Sequence, residues 1–280
     1  MTFVYVVLAI VAGLVLLMYV GAPLIIKATL KLKVRPRIIP IDVPHMPPEV
    51  YGYFGATAPA FTACGFNIAS YVYIPDQVPN ATAYVALWVN HPAGQMATAV
   101  VIYPTPQAAA GGTTAKIYVE YLTKLAEGLA ILTNNSNDLG AFKKTAAKDT
   151  LRAVKVQDPA MLYGLHLHRE ARLARPEAKR YLPAPGHEAA AFVEAVAWDT
   201  RKQLETGYFH EAEPDLLRPT LRGALFMTWG ELPPFKKIRL ARSDREAGRQ
   251  LREAMQGPTP QPLRANLTHE SPYRTPAGRA

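Results

Sequence analysis

The chain has 280 residues, 49% hydrophobic and 19% charged, with a formal net charge of +9 and one cysteine, Cys64. This balance excludes a disordered polyelectrolyte, which has too little apolar surface to bury. A lone cysteine excludes an intramolecular disulfide framework and fits a reducing compartment.

Residues Thr2 to Ile26 pass without a charge. A hydrocarbon core roughly 30 Å thick needs about 20 apolar helical residues, so the run predicts a transmembrane helix with length to spare for tilt. A cleavable signal would show a basic start, a shorter apolar stretch and a small-x-small site. No Lys or Arg precedes this run and no Ala-x-Ala closes it. Pro23, near the inner end, is tolerable because its missing hydrogen bond falls close to the headgroups. Five cations follow in eleven positions, Lys27, Lys31, Lys33, Arg35 and Arg37, with no acid before Asp42. Positive flanks stay cytoplasmic. The expected topology is single-pass in the inner (cytoplasmic) membrane, N-terminus outside and residues 27–280 inside, with these cations facing anionic lipid headgroups. Residues 1–35 form this span and its basic exit.

Residues 36–48 carry five prolines in thirteen positions. Proline removes donors and holds its neighbours extended, which predicts a linker that either spaces the domain from the membrane or runs back across its surface. Residues 49–64 read as a short helix interrupted near Pro59. From Gly65 the pattern changes to strands rich in β-branched and aromatic residues, at 66–74, 83–90, 96–103, 115–125 and 129–134, with a sixth at 150–156. Turn residues separate them, including Gly111-Gly112 in a loop and Glu127-Gly128 at a tight hairpin. Short links imply an antiparallel meander. Asp158 followed by Pro159 caps a helix over 158–174. Residues 186–209 place Phe192, Val196, Thr200, Leu204 and Tyr208 four apart, an apolar stripe suited to cover one face of the meander. The expected class is α+β: a transmembrane helix, then a five- to six-stranded antiparallel meander covered by C-terminal helices, with residues 49–218 as the cytoplasmic domain.

Residues 219–256 form a separate, basic helical segment. Leu221, Leu225, Phe226, Met227 and Trp229 make a patch too short to cross a bilayer. A proline break and a basic helix with Lys236, Lys237 and Arg239 follow. Residues 218–252 hold nine cations against three acids. Aromatic and aliphatic side chains beside clustered cations suit an interfacial or partner-docking segment; the simpler reading packs the patch on the sheet beside a solvated basic face. Residues 257–280, with five prolines and little to bury, predict an extended tail that gains order by binding a neighbour.

The charge sits at the membrane-proximal exit and in this segment, which favours membrane or acidic-protein contact over nucleic acid. No nucleotide-binding glycine loop, nucleophile elbow, zinc-protease helix or paired cysteines occur. No catalytic residue, cofactor or metal is expected, and the chain reads as non-enzymatic. His166 and His168 point to nearly opposite sides of a helix; His166 and Glu170 have usable i, i+4 spacing but read as an ordinary helix surface. Thr133 to Asp138 reads as a turn, with a pocket near Asn134 and Asn135 as the sharper alternative. Cys64 reads as an inert thiol. Three glycosylation sequons, at Asn80, Asn134 and Asn266, would carry no meaning inside the cell.

One outward-starting span, a basic exit and a β-rich cytoplasmic domain resemble, in arrangement, the H subunit of bacterial photosynthetic reaction centres. They also resemble uncharacterised single-span bacterial membrane proteins. The likeness carries over no residue roles. It implies a structural or assembly subunit of a membrane complex, photosynthetic or electron-transporting, whose partners are the bilayer and neighbouring subunits. The alternative is a membrane-tethered ligand- or lipid-binding module or enzyme, with a cavity between sheet and helix.

Overall fold

The computed structural model describes residues 2–78, 81–105, 114–138, 142–256 and 265–273. The Gly111-Gly112 loop, the sequon asparagine Asn80 and most of the proline-rich tail lie outside these residues.

Helix α1 (Thr2–Leu16), a π-turn (Leu17–Gly21) and α2 (Ala22–Thr29) run on as one rod. The most apolar 18-residue window of its stretch Phe3–Thr29 has a mean hydropathy of 2.8, and none of that window is buried. At 1.5 Å per residue the whole stretch is roughly 40 Å long, enough to cross a membrane. Pro23 falls in the first turn of α2, directly after the π-turn, so the rod continues through a residue with no N–H to donate. The rod ends where Leu30 turns extended.

A nine-stranded sheet forms the centre of the folded domain. Strands β3 (Asn67–Val78), β4 (Ala81–Asn90), β5 (Gln95–Pro104), β6 (Lys116–Leu125) and β7 (Ala130–Asn134) make the expected antiparallel meander. The sixth strand is corrected in place and direction: β8 spans Lys148–Arg152 and pairs parallel with β7, Ala130 opposite Lys148. The chain from Asn135 to Ala147 provides the long return that parallel pairing needs.

The proline-rich linker packs on the domain. Its strand β2 (Ile39–Pro40) pairs with β3, Ile39 opposite Tyr73, and Val34, Pro36 and Met46 are buried. Strand β1 (Leu32–Lys33) joins a second, three-stranded sheet with β10 (Phe209–Glu213) and β11 (Leu216–Pro219). Helix α3 (Pro48–Ala63) runs unbroken through Pro59. Residues of the tail are ordered within this chain: β12 (Asn266–Thr268) pairs parallel with β9 (Lys179–Tyr181), and Tyr273 packs edge-on against Tyr181 and Trp198.

The main sheet is buried on both faces, so its central strands read as apolar runs rather than alternating ones. On one face Ala86, Trp88, Ala97, Ala99 and Tyr121 meet α3 and helix α4 (Pro159–Leu173). Phe61 stacks on Trp88 at 4.9 Å. The Asp158 carboxylate caps α4 by accepting from the Ala160 N–H at 2.9 Å. On the other face Val72, Ile74, Val85, Leu87 and Val100 meet Ala189 and Phe192 of α5 (Glu188–Glu205). The stripe expected on this helix stops at Glu205; Tyr208, beyond its end, joins a third core with Val34, Ala197, Phe209, Leu217 and Phe226. Helices α6 (Leu221–Glu231) and α7 (Phe235–Gln256) are the last helices among the described residues.

Candidate functional site

Helix α6 lies against the apolar rod. Thr220 caps it, its hydroxyl accepting from the Gly223 N–H at 3.1 Å. Gly223 passes so close to the carbonyl oxygen of Tyr208 that a Cβ would sit 1.9 Å from it. This approach fixes where α6 points. At its far end the Trp229 indole Nε1–H donates to the Tyr19 carbonyl at 2.8 Å, and the Tyr19 hydroxyl donates to the Pro233 carbonyl. The sequence explains the first bond: Pro23 has no N–H to offer the carbonyl four residues back, and that carbonyl belongs to Tyr19. The indole supplies a donor there.

The predicted contact residues fall into three groups. Lys27, Lys31, Lys33, Arg35 and Arg37 are all exposed, from the last turn of α2 into β1 and the linker. Trp229 is 40% exposed and stacks on Phe235, itself 44% exposed, with ring centroids 6.4 Å apart. Ile238 adds a further exposed apolar side chain, and Lys237 is exposed beside it. Lys236 is paired with Glu231 at 2.6 Å. Phe226 and Arg239 face inward: Phe226 packs edge-on against Tyr208 at 5.0 Å, and the Arg239 guanidinium lies 5.1 Å over the Phe226 ring. The apolar patch therefore divides, one side against the domain and one against the apolar rod. An aromatic pair beside cations at the end of an apolar rod is the composition of a membrane–water boundary.

Arg239 also lines a cavity of about 320 Å³ between β8, α5, α6, α7 and the chain before β8. Lys143, Lys144, Lys148 and Arg152 share its wall with Asp199, Phe142 and Phe226. Asp199 is engaged by Lys148 at 2.7 Å. Burial pulls the Arg152 guanidinium below its ordinary pKa; Glu120 opposes this and Arg239 adds to it.

A polar network that sequence reasoning missed joins α4 to the sheet. His166, fully buried, lies 3.0 Å from the Thr123 hydroxyl through Nε2 and 3.0 Å from the Thr133 hydroxyl through Nδ1. Thr123 donates to the Glu170 carboxylate at 3.1 Å, and Arg169 donates to Thr133 at 2.7 Å. Glu170 also accepts from Arg180 at 2.5 Å and from Gln95, whose carbonyl oxygen accepts from Tyr163 at 2.7 Å. Each threonine hydroxyl has one proton. Thr123 gives its proton to Glu170, so Nε2 carries the histidine proton; Thr133 receives from Arg169 and gives to Nδ1. Burial, and secondarily the Arg169 charge, lowers the His166 pKa to about 3, and the ring is neutral. The i, i+4 pair His166 and Glu170 does converge, through Thr123, and both side chains are buried. The network holds α4 in register.

Asn134 and Asn135 are likewise engaged, Asn134 donating to Glu120 at 2.8 Å and Asn135 accepting from the Val119 N–H at 2.7 Å. Cys64 is half-buried, and burial, then Asp158, pushes its thiol up, away from the reactive thiolate. Under α5 lies a small cleft lined by Leu122, Lys124, Phe192, Ala195 and Tyr273. There the Lys124 ammonium sits 4.1 Å over the Trp198 ring and 4.9 Å over that of Tyr273, while donating to the Gly128 carbonyl at 2.7 Å. No protein-family model matches this chain, and no curated protein or solved structure is significantly similar to it.

Proposed function

We propose that this protein is a non-catalytic structural or assembly subunit of a multi-subunit membrane complex. Its span crosses the inner membrane, with the folded domain seated on the cytoplasmic face. The reading rests on one observation: α6 is bonded to the span through Tyr19, Trp229 and Pro233, so domain and anchor are held together as a mount rather than joined by a loose tether. A mount suits a subunit that positions neighbours. The apolar rod, none of whose most apolar window is buried, offers them a surface for lateral packing. The five cations after the span support the cytoplasmic assignment, since Lys and Arg resist translocation. The arrangement shared with reaction-centre H subunits points to photosynthetic or electron-transport complexes as the class of host. Purification from native membranes in a mild detergent tests the assembly reading: stoichiometric partner subunits are expected to co-purify, and recovery of the monomer alone overturns it.

A further inference from the structure

The cavity beside α6 gathers more positive charge than its own wall neutralises. Of the five cations that line it, Lys148 is bound to the lining carboxylate, Asp199, and Arg152 feels the charges of Glu120, Asp138 and Glu231, which leaves Lys143, Lys144 and Arg239 facing the cavity. Bringing like charges together in a partly buried space is unfavourable unless an anion joins them. Two of the cations are held in place without consuming their donors on acids: Lys143 lies 4.7 Å over the Tyr208 ring and Arg239 lies over Phe226. Lys144 is exposed at the rim, which leaves a way in. A lysine point charge and a planar guanidinium fork are the groups that recognise phosphate oxygens. Phe142 and Phe226 add an apolar shoulder.

We propose that this cavity binds a phosphate-bearing anion whose oxygens are taken by Lys143, Lys144 and Arg239. Two sources carry that chemistry: the headgroup of an anionic lipid and a soluble phosphate compound. Placement favours the lipid, because Phe226 lines the cavity and Trp229, three residues further along the same helix, bonds the span. The inference goes beyond the assembly reading and outlives its failure, since a monomer can hold the anion and an assembled subunit can lack it.

The test uses the full chain in neutral detergent at constant ionic strength. Its thermal unfolding is followed against phosphatidylglycerol in phosphatidylcholine mixed micelles, and separately against inorganic pyrophosphate, with chloride as control. A saturable rise in melting temperature is expected with a phosphate probe. In the Lys144→Gln/Arg239→Gln double variant the apparent affinity should fall at least tenfold, as expected for losing charge-assisted contacts. The single charge reversal Lys144→Glu, at an exposed position, should also weaken binding and guards against misfolding of the double variant. Response to phosphatidylglycerol alone assigns the site to lipid; saturation by pyrophosphate in pure phosphatidylcholine assigns it to a soluble compound. Either supports the proposal. If neither probe shifts the melting temperature beyond chloride, or both variants bind like the parent chain, the proposal is wrong.

Discussion

His166 is neutral in the fold and ordinarily titrates near 6.5, while its buried value is about 3. The unfolded chain therefore takes up a proton that the folded chain refuses as pH falls from 6.5 towards 3. Stability is retained above that window and lost on acidification, by roughly 2–3 kcal/mol at pH 4.5 for this group. In His166→Gln the acid-induced fall in melting temperature should be shallower. At pH 7 the variant should be about 1–3 kcal/mol less stable, because Thr133 and Thr123 lose a partner. Melting curves across pH 4–7 measure both. Lys124 works at the alkaline end. Burial lowers its pKa to about 8 from 10.5, with Asp199 opposing and Lys148 and Lys202 adding. Between those values the unfolded chain holds the proton that the folded chain has lost, so stability rises with pH from about 8 to 10.5. Lys124→Met should abolish that rise. A persisting rise in the variant would show that another group causes it.

At the scale of elements, the clearest lever is Gly223. A methyl group there would meet the Tyr208 carbonyl oxygen at 1.9 Å, a backbone contact that no rotamer change relieves. Gly223→Ala should push α6 off the end of β10 and cost on the order of 1–3 kcal/mol, as overpacking does. It should also weaken the Trp229–Tyr19 bond, read as a red shift of Trp229 emission when Trp88 and Trp198 are replaced by Phe. The meander was legible in residue types: β-branched and aromatic runs set β3 to β7, turn residues separated them, and Asp158-Pro159 marked the start of α4. What escaped was pairing at a distance. Leu32 opposite Leu217 and Asn266 opposite Lys179 are two- and three-residue strands, too short to show a period. The polar network escaped because its members come from β5, β6, β7, β9 and α4, and a helical position such as Glu170 does not announce the strand residue that will meet it.

For the whole molecule, the seat of α6 on the span predicts depth. Tyr19 lies sixteen residues from Phe3, roughly 24 Å along the rod, so a span starting near Phe3 brings Trp229 to the far edge of a hydrocarbon core about 30 Å thick. Brominated phospholipids should quench Trp229 in reconstituted vesicles and leave Trp88, buried in the core, unaffected. Trp229→Phe should remove most of the quenching; unchanged quenching would place the bilayer elsewhere. The basic exit and the aromatic patch were both readable as chemistry, and their meeting was not, because 210 residues separate Trp229 from Tyr19.

That separation bears on how the protein is made. Translation at about 5–20 residues per second puts roughly 10–40 s between the emergence of Tyr19 and that of Trp229. Throughout that interval the newly made rod has to do without the indole that later caps its proline-interrupted turn. A helix made late in synthesis is thus what completes the first one, and a ribosome that stalls before residue 229 leaves an apolar rod whose final bond is never made.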